Sequence, residues 1–238
     1  KIKPDAYVIV ATIRALRYHG GARKGEYEKP NLPFVKNGIE NLKKHIENAF
    51  KFGLKPIVAI NHFATDSEEE IDFVKSECEK LGVKAILAEE FAKGGEGMTE
   101  LAKEVVYCAD FCGNDFKPLY KVDDSVEYKI ETIAKEIYGA ESVVFSQKAK
   151  NQLKTIYDLG FDKVPICMAK TPKSLTDDET KIGRPSNFKI TVREFEFAAG
   201  AGFIIPILGD MMRMPGLPNI PAAEGMVIDK DGKISGLS

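Results

Sequence analysis

Three short apolar runs constrain this chain more than anything else in it. They are Tyr7–Thr12 (YVIVAT), Pro56–Asn61 (PIVAIN) and Lys84–Glu90 (KAILAEE). The apolar stretch within each is continuous rather than alternating, which predicts strands covered on both faces. Between the first two, Val35, Ile39, Leu42, Ile46 and Phe50 recur at helical spacing, and Gly53 ends the pattern. Between the second and third, Ser67–Glu70 reads S-x-x-E, a capping box, and opens a helix through Ile71, Val74, Cys78 and Leu81. After the third, Leu101, Val105 and Cys108 predict a helix from about Met98. Strand, helix, strand and helix with buried strands imply a parallel sheet with helices on both faces.

The second half repeats the rhythm and then changes it. Ser125 caps a predicted helix with Ile130, Ile133 and Ile137, closed by Gly139. SVVFS, a helix to Gly160 and VPICMA form another βαβ unit. In KITVREFEF, Ile190 and Val192 share one parity while Phe195 and Phe197 share the other, which predicts a bulge near Glu194. Pro206 in FIIPILG suits an edge or a strand end. Asp231-Gly232 near the end signals an antiparallel hairpin with a tight primed turn. The fold class is therefore α/β: parallel synthetase-like strands first, then further α/β units and a terminal hairpin. The division is placed within Phe111–Asp124, giving segments 1–112 and 113–238.

Composition excludes several functions. Lysines and arginines number 34 against 36 acids, a net charge of −2, so there is no polycationic surface of the kind nucleic acid requires. No apolar run approaches the roughly 20 residues that cross a bilayer. Cys78, Cys108, Cys112 and Cys167 are too sparse and irregular for a disulfide framework or a zinc site. Cys108 and Cys112 lie four apart on a predicted helix and can meet, and all four read as packing thiols in a reducing cytoplasm. The chain opens on Lys1 and reaches a strand within a few residues, so it is expected to belong to a longer polypeptide.

Ligands of open α/β sheets sit beyond the carboxyl ends of the parallel strands. Three segments qualify: Thr12–Gly21, Asn61–Asp66 and Glu89–Gly97. The first, with Arg14, Arg17 and His19, suits an anionic ligand or is simply a solvated basic loop. In the second, Asn61 can read the donor and acceptor edge of a purine. His62 reads as a surface or packing histidine, because no second histidine or cysteine stands at ligand spacing. In the third, Gly94, Gly95 and Gly97 do not fit G-x-x-x-x-G-K-[ST], which occurs nowhere in the chain. These glycines predict a tight strand-to-helix turn with close backbone approach. The residues alone thus support an α/β protein binding an anionic or aromatic small molecule. They leave Phe91, at the lip of a strand, unexplained.

At these segments the chain resembles the formate–tetrahydrofolate ligase (formyltetrahydrofolate synthetase) family. The matching stretches run nearly end to end: VIVATIRALRYHGG, VAINHFATDSEEE, AKGGEG, EIYGA, MAKT…SLTDDETKIGRPSNFKITVRE and MPGLPNIPAA. They match the carboxyl-terminal part of the family; its amino-terminal half, with the P-loop that holds ATP, is not among these residues. The resemblance implies an enzyme that makes formyl phosphate from formate and MgATP and passes the formyl group to tetrahydrofolate, giving 10-formyltetrahydrofolate. It also implies a homotetramer stimulated by a monovalent cation, a cytoplasmic location, and no membrane or nucleic-acid partner. The alternative is a non-catalytic folate-binding or assembly module of the same fold. Another ATP-dependent synthetase of similar fold is disfavoured by the matches around Phe63 and Phe91.

The resemblance further implies that the pterin ring lies between two aromatic side chains, here Phe63 and Phe91. Their separation, 91 − 63 = 28 residues, fits the family spacing. Leu87 matches a position near the folate pocket, and Ala64, Gly94 and Gly95 flank the two rings. Ala64 replaces a common proline and Phe91 a common tryptophan, so the second jaw offers less stacking area and no N–H donor. By fold analogy Asn61, with Thr12 and Arg14, is expected on the nucleotide side. No catalytic residue and no metal ligand is assigned. The 238 residues alone are expected not to turn over ATP.

Overall fold

The computed structural model describes residues 3–113, 115–209 and 220–236. The first half is the expected layered unit. Strands β1 (Tyr7–Ala11), β2 (Pro56–Asn61) and β3 (Ala85–Ala88) form a parallel sheet in the order β1-β2-β3. β2 shows why its sequence is apolar throughout. Val58 and Ile60 face α1 (Ile13–His19), α2 (Leu32–Lys51) and α3 (Glu68–Lys80). Ile57 and Ala59 face α5 (Thr99–Phe111). A strand covered on both sides has no polar face to alternate with. The capping box of α3 forms as expected, Ser67 and Glu70 exchanging bonds with each other's backbone.

One segment differs from expectation. Thr12–Gly21 is helical rather than a loop: Thr12 caps α1 by accepting the Ala15 N–H, and Ile13, Leu16 and Arg17 are buried. The seven-residue helix is too short to show periodicity. It lies backbone to backbone on α2, where a Cβ on Gly38 would sit 1.9 Å from the Leu16 carbonyl oxygen and one on Gly20 would sit 1.8 Å from that of Phe34. Only glycine allows such a crossing.

In the second half, α6 (Val126–Thr132) continues as a π-helical turn to Tyr138 and stops at Gly139, whose φ of 80° is left-handed. β4 (Ser142–Phe145) pairs parallel with β5 (Lys189–Ala198), and β5 pairs antiparallel with β6 (Phe203–Leu208). The expected bulge is present: the register shifts between Val192 and Glu194, so Ile190, Val192 and Phe195 all reach the core. That core is closed by α6 and by α7 (Gln147–Asp158).

VPICMA does not form the expected strand, and Pro206 is the reason. Residues 165–169 run beside β6 with isolated parallel bridges at Ile166 and Ala169. Ile204 donates to Pro165 and Leu208 to Ala169, while Cys167 and Ala169 donate to Ile204 and Pro206. The N–H that would complete this ladder belongs to residue 206, and proline has none. The terminal hairpin is present as β7 (Val227–Ile228) and β8 (Ile234–Ser235). Its turn is not of the primed two-residue type. Gly232 (φ 79°) donates to the Asp229 carbonyl, and neither Lys230 nor Asp231 has a positive φ. The glycine therefore follows the turn rather than forming its centre. Most of MPGLPNIPAA falls in 210–219, outside the described residues.

Polar side chains of α2 dock the two halves. Asn41 Nδ2 donates to the Gly183 carbonyl at 2.9 Å, Lys44 Nζ to that of Glu136 at 2.8 Å, and Asn48 Nδ2 to that of Ile137 at 3.0 Å. Arg184 forks onto Glu47 with two bonds of 2.7 Å. His19 Nδ1 accepts the Gly183 N–H at 3.1 Å. Burial, with a smaller contribution from nearby His45, pushes the His19 pKa down to about 4 from 6.5. The unfolded chain therefore takes up this proton first, and the stabilisation is whole above pH 6.5 and lost as pH falls towards 4. Burial lowers the His45 pKa too, so both histidines act in the same direction. Urea midpoints are expected to fall across this window. His19→Gln, which keeps an acceptor but does not titrate, should recover about 1 kcal/mol of the loss once solvent screening is allowed for. An unchanged pH profile in that variant would remove His19 from this role.

Candidate functional site

The carboxyl ends of β1, β2 and β3 bring the predicted site residues to one edge of the sheet. Asn61, the last residue of β2, is paired in register with Ala88, the last of β3. Phe63 lies two residues beyond one strand and Phe91 three beyond its neighbour. The two rings thus emerge from adjacent strand ends.

Phe91 is 97% exposed. It sits on α4 (Glu90–Lys93), a single helical turn that buries no residue. A phenyl ring so placed contributes nothing to folding. Phe63 is half-buried, and the Arg14 guanidinium lies over its ring, 4.7 Å from the centroid. The Arg14 Nε is buried without a hydrogen-bond partner. The Phe63 N–H donates to Asp66 Oδ2 at 2.9 Å, which fixes the start of the β2–α3 loop, while Ala64 is exposed.

The glycine run after β3 is not one tight turn. It winds as a 3-10 helix, Gly94–Met98, into α5. Close backbone approach occurs at Gly97, where a Cβ would lie 2.5 Å from the Glu89 carbonyl oxygen; Gly94 supplies a φ of 59°, and Gly95 has open space. Half-buried Leu87 lines a cleft of about 400 Å³ beside this segment, with Glu89, Lys93 and Gly97. His62 Nδ1 stands 3.6 Å from Glu89 Oε1, and Lys93 Nζ 2.6 Å from Glu89 Oε2. The Lys93 hydrogen bond holds the Glu89 carboxyl below its ordinary pKa.

Arg17, expected to face an anionic ligand, does not do so. It is fully buried. Its Nε donates to Glu70 Oε1 at 2.8 Å and its Nη2 to Glu70 Oε2 at 2.5 Å. It also donates to the Tyr27 and Thr65 carbonyls and lies 3.5 Å from Asp66. Glu70 in turn accepts the Asn31 N–H at 2.8 Å. Burial opposes ionisation of Glu70, but the Arg17 bond and the N–H groups of Asn31 and Ser67 outweigh it and hold the pKa at about 2. This pair ties α1, the start of α2, the β2–α3 loop and α3 into one frame. Arg17 and Glu70 were readable as a basic residue and a capping residue; that they meet is a tertiary fact. Thr12 spends its hydroxyl acceptor on the cap of α1, and Asn61 stands half-buried at its strand end.

The family model described as formate–tetrahydrofolate ligase matches residues 1–238, the whole of this chain. The chain belongs to the formate–tetrahydrofolate ligase family. A curated formate–tetrahydrofolate ligase of Limosilactobacillus fermentum is 50% identical over 234 residues, which cover 98% of this chain and 42% of that protein. The chain therefore spans less than half the length of this relative. Among the described residues no helix is long and apolar enough to cross a membrane, and no group of three His, Cys, Asp or Glu side chains is placed to hold a metal ion. The ligase family's match reaches every segment at the sheet edge, including those carrying Phe63 and Phe91.

Proposed function

We propose that these residues form the folate-binding part of an enzyme that activates formate as formyl phosphate at the expense of ATP and transfers the formyl group to tetrahydrofolate. Phe91 carries the proposal. An aromatic ring 97% exposed on a one-turn helix at the ligand-binding edge of a parallel sheet is a stacking surface without its partner. The pterin would stack between Phe91 and Phe63, the latter backed by Arg14 on one face. Leu87 and the segment through Gly94 and Gly95 would flank it. Arg14 thereby moves from the nucleotide side to the folate side, leaving Asn61 and Thr12 as the groups nearest an adenine.

Among the described residues no group of three His, Cys, Asp or Glu side chains is placed to hold the Mg²⁺ that accompanies ATP or the family's monovalent cation. Assembly of the intact enzyme into a homo-oligomer and a cytoplasmic location belong to the same proposal. A non-catalytic folate-binding module would use the same two rings.

In the full-length enzyme, Phe91→Ala should leave stability within about 0.5 kcal/mol, as for other exposed positions. It should weaken tetrahydrofolate by at least about 0.5–1.5 kcal/mol of stacking, roughly two- to tenfold. Phe91→Trp should fold normally and bind at least as tightly as the natural protein. ATP affinity should hold in both and fall only in Asn61→Ala. Unaltered folate affinity in Phe91→Ala would end the clamp reading.

A further inference from the structure

At the opposite, amino-terminal end of the sheet lies a second cleft that the folate reading does not use. It is about 520 Å³ in volume, and Pro56, Ala85, Glu104, Cys108 and Cys112 are among its lining residues. Cys108 and Cys112 stand on consecutive turns at the end of α5, their sulfur atoms 2.7 Å apart. Cys108 is 5% exposed and Cys112 is half-buried, and both border the cleft. The backbone between them stays helical, with the Cys112 N–H bonded to the Cys108 carbonyl at 3.1 Å.

We propose that Cys108 and Cys112 form a bidentate dithiol site for a trivalent, thiophilic centre of the arsenical type, entering through this cleft. The choice between such a centre and a direct disulfide rests on spacing. Residues four apart on a helix hold their Cβ atoms about 5–6 Å apart, whereas a disulfide needs about 3.5–4.5 Å. One atom bridging the two sulfurs spans the helical separation without unwinding the turn. Soft sulfur donors also prefer soft centres. Cys78 is buried away from this pair, and Cys167 is exposed without a second thiol at helical spacing.

With phenylarsine oxide the step balances without an oxidant. The arsenic–oxygen bond is replaced by two arsenic–sulfur bonds, arsenic stays trivalent, and both thiol protons leave with the oxygen as one water. Burial pushes the Cys108 thiol up to about 11, so it enters the reaction protonated, as the release of water requires.

The test uses the full-length protein treated with phenylarsine oxide and digested with trypsin. Both cysteines fall in the single peptide 104–121, because Lys117 precedes Pro118 and is not cut. The expected result is one phenylarsenic group on this peptide, retained in excess 2-mercaptoethanol and released by 2,3-dimercaptopropanol. Two thiols on one rigid segment should slow loss to the monothiol about a hundredfold relative to a single thiol. Cys112→Ser should abolish that retention, while Cys167→Ser and Cys78→Ser keep it. The proposal is overturned by an unmodified 104–121 peptide, by equal release with the monothiol, or by full retention in Cys112→Ser. The first two are read on the natural protein and do not depend on any variant folding.

Discussion

Arg17→Ala is expected to destabilise the chain by about 3–5 kcal/mol, the range for removing one member of a buried ion pair. The loss arises less from the missing attraction than from what remains: Glu70, fully buried, with its charge uncompensated, and the Tyr27 and Thr65 carbonyls without their donor. Arg17→Met with Glu70→Leu should recover much of the loss, since neither charge is then left alone. The pH dependence should weaken as well. In the natural chain the Glu70 pKa is depressed to about 2 from 4.5, so its contribution is whole above pH 4.5 and disappears as pH falls through 2. That shift corresponds to about 3 kcal/mol. In Arg17→Ala the carboxyl keeps only the Asn31 and Ser67 bonds against its burial, much of the depression is lost, and acidification should cost the variant less than the natural chain. Urea unfolding at pH 7 and pH 4 reads both effects. A loss below 1 kcal/mol with unchanged pH dependence would show that the pair is not the frame of the site. Phe63 should feel the change, because its N–H bonds to Asp66, which Arg17 faces at 3.5 Å.

This frame marks the boundary of what the residues disclosed on their own. β2 and α3 were legible because each announces itself locally, one by an unbroken apolar run and the other by Ser67 and Glu70 three positions apart. The bulge in β5 was legible because a change of parity between Val192 and Phe195 admits one physical answer. The helix α1 was not, since its seven residues span only two turns and its stability comes from Gly20 and Gly38 lying against the facing backbone. VPICMA has a strand's composition, and what breaks its ladder is a proline some 40 residues away, at 206. At the candidate site, Phe63 and Phe91 were identified by family likeness rather than by physics. Their emergence from adjacent strand ends and the bareness of Phe91 are structural findings. So is the placement of Arg14 over Phe63, which no spacing in the chain foretells.

The 238 residues alone are expected to release no measurable ADP from ATP with formate and tetrahydrofolate, under conditions where the full-length enzyme turns over readily. Phosphoryl transfer depends almost entirely on positioning and on cations that neutralise the equatorial oxygens. Two cationic groups near the sheet edge are already paired with carboxylates, and a third covers a ring. Arg17 is held by Glu70, Lys93 by Glu89, and Arg14 lies over Phe63. The glycine-rich turn after β3 winds as a 3-10 helix through Gly94–Met98. It lacks the lysine that follows the last glycine of a phosphate-binding loop, Met98 standing in that place before Thr99. On the proposed reading tetrahydrofolate would use the two aromatic faces instead, and Phe63 and Phe91 both lie at this edge. Equilibrium titration should therefore detect folate on the isolated chain, more weakly than on the full-length enzyme, and Phe63→Ala together with Phe91→Ala should abolish that binding in a preparation shown by circular dichroism to be folded. Adding the rest of the enzyme as a separate polypeptide should restore ADP release if the two parts assemble. Formate-dependent ADP release by the isolated chain would mean that a phosphate cradle exists among these residues in a form that neither the glycine pattern nor the committed cations reveal.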